Sequence, residues 1–145
     1  MKIGIIGAGN IGGALTRRLT ALGHQVPVSE AARGAALVVV TIPEKNIPRL
    51  PAGLFDGAAD GAVVVDTGNY YPQQRDGRIE AIEAGTTESR WVAQQLGRPV
   101  IKAFNNIYAQ HLLESGKPAG THGRIALPVA GDDPAAKAVV LRLLD

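Results

Sequence analysis

No cysteine occurs anywhere in the 145 residues. Disulfides, thiolate metal sites and cysteine nucleophiles are excluded on that ground alone. Aromatics are scarce, with one Trp, three Tyr and two Phe, so the core must be built from Ala, Val, Leu and Ile. A strong excess of one charge is missing too. Fifteen Lys and Arg stand against 13 Asp and Glu, a net charge of +2, and the basic residues are scattered. A basic stripe for nucleic acid is therefore not expected. No apolar run approaches the length of a membrane span. Met1-Lys2 leads straight into a strand-like stretch rather than a leader, so a cytoplasmic chain with no membrane partner is expected. What is present is ordinary for a compact domain: 46% hydrophobic and 19% charged residues, in a length that suits one domain over 1–145.

The hydrophobic pattern alternates between two kinds of segment. Lys2 to Ile6, Ala36 to Ile42, Ala62 to Asp66, Pro99 to Phe104 and Ile125 to Ala130 are continuous apolar runs, and Gln25 to Val28 is a shorter candidate. Continuous rather than alternating runs indicate strands covered on both faces, hence a parallel sheet. Pro128 marks the last run as an edge strand. From Asn10, the apolar residues Ile11, Ala14, Leu15, Leu19 and Leu22 follow helical spacing, with Gly23 placed to end the helix. Glu88 to Leu96 reads as a helix with Trp91, Val92 and Leu96 on one side. Pro134 to Leu144 reads as another, capped by Asp133. Asn69 to Gly85 is a polar surface excursion with the character of a lid, and Lys117 to Gly123 is a loop. Strands alternating with helices imply a doubly wound α/β fold with a mostly parallel sheet.

Gly7-Ala8-Gly9-Asn10-Ile11-Gly12 matches G-x-G-x-x-G between a buried strand and an amphipathic helix, the context that gives the pattern weight. Gly7 permits the tight turn, Gly9 lets the backbone approach a pyrophosphate, and Gly12 lets helix and strand pack closely. The helix start then offers free N–H groups and partial positive charge to phosphates. A loop that only packs a helix on a sheet is the competing reading. Glu30 lies 18 positions after Gly12, near where an acid binds the ribose of NAD. The chain length argues against that role. If Gln25 to Val28 is strand two, Ser29 to Ala35 leaves seven residues for a crossover that needs roughly 10–12. Glu30 then reads as a solvated acid opening a helix.

MKIGIIGAGNIGGALTRRLTALGH, VVVTIP, VVVDTGNYY, VIKAFNNIYAQHL and VAGDDPAAK together resemble the NADPH-dependent reductases of the deazaflavin coenzyme F420. Bacterial members of this family are also called NADP oxidoreductases. The resemblance runs over nearly the whole chain, in order. It implies a small Rossmann-type NAD(P)-binding domain that passes hydride between NADP and a second cofactor, F420 or a flavin. It also implies a homodimer, since family members often dimerise. The related hydroxy-acid dehydrogenases carry a helical second domain with a catalytic lysine, for which this chain has no room. A dinucleotide-binding or redox-sensing module without catalysis is the alternative function.

The same resemblance exposes a departure. Family members carry a Ser-Arg pair, a helix and a third strand after GHxV, and this supplies selectivity for NADP. Here His24-Gln25-Val26 joins almost directly to Pro27-Val28-Ser29, so about 20 residues are missing after strand two. Either the shortening is real, or the sequence records only ordered residues and omits a mobile loop; the second account is preferred. The chain also stops at Leu143-Leu144-Asp145, where the family continues.

Ligands of open α/β sheets collect at the carboxyl ends of the strands. Three polar clusters stand there: Thr41-Ile42-Pro43, Thr67-Gly68-Asn69-Tyr70 and Asn105-Asn106. The resemblance implies that Thr41, Ile42 and Pro43 lie beside the nicotinamide ribose and ring. It implies that Asn69 and Asn105 face the nicotinamide, and that Asn69, Tyr70, Asn105 and Asn106 line the pocket of the second substrate. Each has a structural alternative: a strand stop, a turn former, a cap, or a ring covering the sheet edge. Lys102 sits within a strand candidate, so a structural role is expected of it. His111 and His122 lack metal-ligand spacing, and no metal is expected. No catalytic acid or base is singled out, because cofactor-to-cofactor hydride transfer asks mainly for alignment and exclusion of water.

Overall fold

In the computed structural model, which describes residues 1–26 and 31–145, the β-branched runs become the sheet. Strand β1 is Ile3–Ile6, β2 Leu37–Val40, β3 Val63–Asp66 and β4 Ile101–Lys102. All pair in parallel, in the order β1-β2-β3-β4. Every residue of β2 and β3 is buried, as a strand covered on both faces must be. Each such valine contributes about 1.5–3 kcal/mol on burial. The two cores divide by the pleat. Val39 and Val65 face one side with Ala14, Leu15 and Leu19, while Val38, Val40 and Val64 face the other with Ile47, Trp91 and Val92.

Helix α1 (Asn10–Ala21) covers the first face, with Gly23 at φ +81° just past its end. α3 (Glu88–Leu96) covers the second and ends on Gly97 in the left-handed region. Between them the chain forms a 3-10 turn over Glu44–Arg49, a π turn over Pro72–Asp76 and the single-turn α2 (Glu80–Glu83). α4 is Ala109–Glu114 and α5 is Pro134–Leu144. The Asp133 side chain caps α5 by accepting from the amides of Ala135 and Ala136 at 2.8 and 3.2 Å. Among the described residues no helix is long and apolar enough to cross a membrane.

Three expectations need correction. The run Ile125 to Ala130 is not a strand: it meets β4 only through an antiparallel bridge between Lys102 and Ala130. Pro128 has no N–H to give a ladder, which limits pairing there. The Asn69 to Gly85 excursion is tied down rather than lid-like, because Asp76 is buried and bonded to Arg75 and to the amides of Tyr71 and Lys45. The third concerns strand two. Among the described residues it is reduced to Gln25, bridged in parallel to Lys2 on the edge of β1 away from β2.

Residues 31–36 lead into β2. The return segment passes tightly over β1. Ala32 and Ala35 are buried, and a Cβ on Gly4 would collide with the Ala31 carbonyl. Pro27, Val28, Ser29 and Glu30 lie outside the described residues.

Candidate functional site at the strand ends

Because all four strands run the same way, their carboxyl ends share one rim. Three amide-to-carbonyl bonds step along it: Thr41 N–H to Ile6 O at 2.8 Å, Thr67 N–H to Val40 O at 3.2 Å, and Ala103 N–H to Asp66 O at 3.1 Å. Each sequence-derived cluster follows one of these steps.

At the first strand end the three glycines play different parts. Gly7 has φ +119°, and a Cβ there would collide with the Thr41 carbonyl and stand 3.0 Å from Ile42 Cγ2. A Cβ on Gly12 would run into the Gly7 carbonyl and come within 3.0 Å of Thr41 Cγ2. Gly9 has open space around it, with nothing within 4 Å of such an atom. Two glycines are thus needed by the fold, and the third faces outward. α1 begins there without a side-chain cap and without an acid in its first turn. The first bond of the helix is Gly13 N–H to Gly9 O at 2.8 Å, so the amides just before Gly13 precede the ladder. An uncapped helix start beside open backbone fits a pyrophosphate. The structure therefore joins Gly7, Gly12, Thr41 and Ile42 in contact, with Ala8, Asn10 and Ile11 completing the turn. Pro43 leads into the 3-10 turn.

Farther along the rim, two amide side chains meet. Asn69 Nδ2 donates to the Asn105 carbonyl at 2.7 Å, and Asn105 Nδ2 donates to Asn69 Oδ1 at 3.3 Å. A bend in the backbone makes this possible. Phe104, buried, stands at φ +64°, a region costly for an aromatic residue. Such conformations persist where the surroundings fix them and cluster at functional sites. The turn ends β4 abruptly and brings the Asn105 carbonyl back towards β3. Asn106 is exposed, and no contact ties it to this pair. The Tyr70 hydroxyl donates to Glu83 at 2.9 Å and accepts from the Ile79 amide at 2.8 Å. It braces the excursion.

Charged groups support the rim from below. Lys102 donates to Asp66 at 2.8 Å and reaches Glu88 at 3.4 Å, with the Asp66 side chain only 3% exposed. This is the structural role expected of Lys102. Asp66 also accepts from the Gly68 amide at 2.8 Å. Glu44 was not foreseen. It is 1% exposed, and burial pushes its carboxyl up to about 7. Its own backbone and Arg75 oppose that rise, while the charges of Asp76 and Asp66 add to it. Burial works against Asp76 as well, but hydrogen bonds from Arg75 and Tyr71 hold it below the usual carboxylate range. No neighbouring residue signals the burial of Glu44, whose partner Arg75 lies 31 residues away.

A cavity of about 530 Å³ lies elsewhere, between α1, α4 and α5, lined by Leu19, Phe104, Leu112, Leu127 and Leu144 among others. None of the loop glycines or clamp asparagines borders it.

Residues 2–30, which hold β1, the glycine loop and α1, match the family model of coenzyme F420-dependent NADP oxidoreductases. This opening segment is similar to that family. Among curated proteins nothing matches the chain. Solved structures extend the likeness of fold over the whole length. A candidate F420-dependent NADP reductase from Arthrobacter sp. FB24 superposes with a TM-score of 0.70 at 22% identity, covering 99% of this chain and 79% of that one. A hypothetical protein from Sinorhizobium meliloti gives 0.71 at 22% identity, covering 99% and 80%. A candidate oxidoreductase from Mycobacterium avium 104 gives 0.57 at 16% identity, and this chain spans only 52% of it. At these identities the likeness speaks for the Rossmann-type architecture. Against the usual strand order 3-2-1-4-5-6, this chain keeps the inner strand and one whole wing. Among the described residues strand two is a single bridge and no outermost strand is found.

Proposed function

We propose that the protein is an oxidoreductase that transfers hydride between NADPH and a deazaflavin or flavin-like acceptor. The observation that carries this reading is the reciprocal amide pair of Asn69 and Asn105, set on the same rim as an uncapped, glycine-lined helix start. In this reading Gly7 to Gly12 hold the pyrophosphate on free amides. Thr41, Ile42 and Pro43 lie along the nicotinamide ribose. Asn69 and Asn105 present uncharged amide edges to the ring and to the acceptor. Bound NADPH supplies the hydride, and the overall reduction of the acceptor also takes up one proton from solution. The residues of the chain align the two rings and keep water away, a role that needs no catalytic acid–base pair. The matched family supports NADP as the dinucleotide.

Titration with NADPH and NADH, followed by the fluorescence of the reduced cofactor, is the first test. NADPH binding followed by oxidation on adding deazaflavin or flavin is the expected result. Tight binding without turnover for any acceptor would favour a dinucleotide-binding sensor instead. No binding of either cofactor would leave the glycine loop a packing device and overturn the proposal.

A further inference from the structure

The Glu44 carboxyl has an oxygen with nothing to bond. Its Oε2 accepts from Arg75 Nη2 at 2.7 Å. Its Oε1 is shut off from solvent and has no hydrogen-bond partner. Gly68 leaves room for it: a Cβ there would collide with Oε1 and stand 3.1 Å from Asp66 Oδ1. Glu44 and Asp66 thus crowd the same small space beneath residue 68. A buried oxygen with no donor beside it is an orphan when ionised, but becomes a donor itself when it carries a proton.

Arg75 links this carboxyl to the amide pair. The Nη2 that binds Glu44 also donates to the Asn69 backbone carbonyl. The path is continuous: Glu44 to Arg75, Arg75 to Asn69, Asn69 to Asn105. We propose that Glu44 is a positioning residue for the Asn69–Asn105 clamp, acting through Arg75 and the space at Gly68, and that its proton sets how the clamp is held. The inference rests on the hydride-transfer reading of the clamp.

The charges around Glu44 agree. Its own turn brings Lys45, whose ammonium donates to the Arg75 carbonyl at 2.6 Å. The π turn brings Arg75 and Asp76, with Arg75 also over the Tyr71 ring. β3 brings Asp66, β4 Lys102 and α3 Glu88. Four acids (Glu44, Asp66, Asp76, Glu88) face three bases (Lys45, Arg75, Lys102), so the set is balanced when Glu44 keeps its proton. The Glu44 carboxyl, raised to about 7, would lose that proton close to neutrality. Two carboxylates would then oppose each other under Gly68, and the Gly68–Asn69 backbone would have to move.

The test is NMR on the ligand-free chain between pH 5.5 and 8.5. It follows the Glu44 carboxyl carbon and the Asn69 side-chain amide. Both should titrate together with a midpoint near 7, and the Asn69 titration should vanish in Glu44→Gln. Titration of the Glu44 carbon with a static Asn69 amide would overturn the proposal. So would a Glu44 carbon that does not titrate in this range. If Glu44→Gln does not fold, the two wild-type curves decide. Failure of the hydride reading shows separately, as absence of NADPH binding in the fluorescence titration with the Asn69 curve intact.

Discussion

The two flanks of β1 differ sharply. On one side lie β2, β3 and β4, with full parallel registers and a rim of amide and charged groups at their ends. On the other, among the described residues, lies one bridging residue, Gln25. The glycine loop rests only on β1, α1 and the neighbouring turn at Thr41, all of which belong to the complete flank. The reduced flank is the one that normally carries the adenosine ribose and chooses between NAD and NADP. The two flanks are therefore separable, and the glycine loop stands with the complete one.

The comparison can be broken at its strongest point. Lys102→Met strands the buried Asp66 carboxylate on the complete flank, and should cost about 3–5 kcal/mol in urea unfolding. A loss below 1 kcal/mol would mean that the rim is not organised by this pair. A second test uses pH. Glu44 holds its proton more tightly folded, at about 7, than at its ordinary 4.5. The stability it contributes is complete below that ordinary value and is lost as pH rises through about 7. Wild type should lose about 3 kcal/mol between pH 4.5 and 8 from this group, whereas Glu44→Gln should lack that loss. Asp76, with its lowered value, works the other way and loses its contribution only in acid. Unfolding curves at the two pH values separate the cases.

Within the loop, Gly12→Ala should cost about 1–3 kcal/mol through collision with Gly7. Gly9→Ala should leave stability within about 0.5 kcal/mol yet weaken NADPH binding. Equal loss of stability in both would contradict the division of labour among the glycines. The smallest expected effect is on the fold in Asn69→Ala, about 1 kcal/mol for the lost hydrogen bonds, together with a fall in hydride-transfer rate. An unchanged rate would remove the clamp from the reaction.

Much of this was legible in the sequence because it is local. Val38 to Val40 and Val63 to Val65 announce buried parallel strands. Asp133-Pro134 and Leu96-Gly97 mark helix ends, and the glycine spacing marks the loop. The trimmed β4 and the missing strand at 125–130 were less readable, since Phe104 turns the chain and Pro128 withholds a donor. Glu44 was invisible for a different reason. Its burial depends on Arg75, 31 residues away, and on the space left at Gly68, and neither leaves a mark in the residues beside it. The partners of the Tyr70 hydroxyl, Glu83 and Ile79, were unreadable for the same reason.

The strand order β1-β2-β3-β4 is also the order of synthesis. In the full doubly wound arrangement the chain lays strands outward on one side, then returns to the middle and builds on the other. Here each strand after β1 finds its template as the strand made just before it, already at the growing edge. The sheet can assemble by accretion as the chain leaves the ribosome, with no strand waiting for a partner made much later.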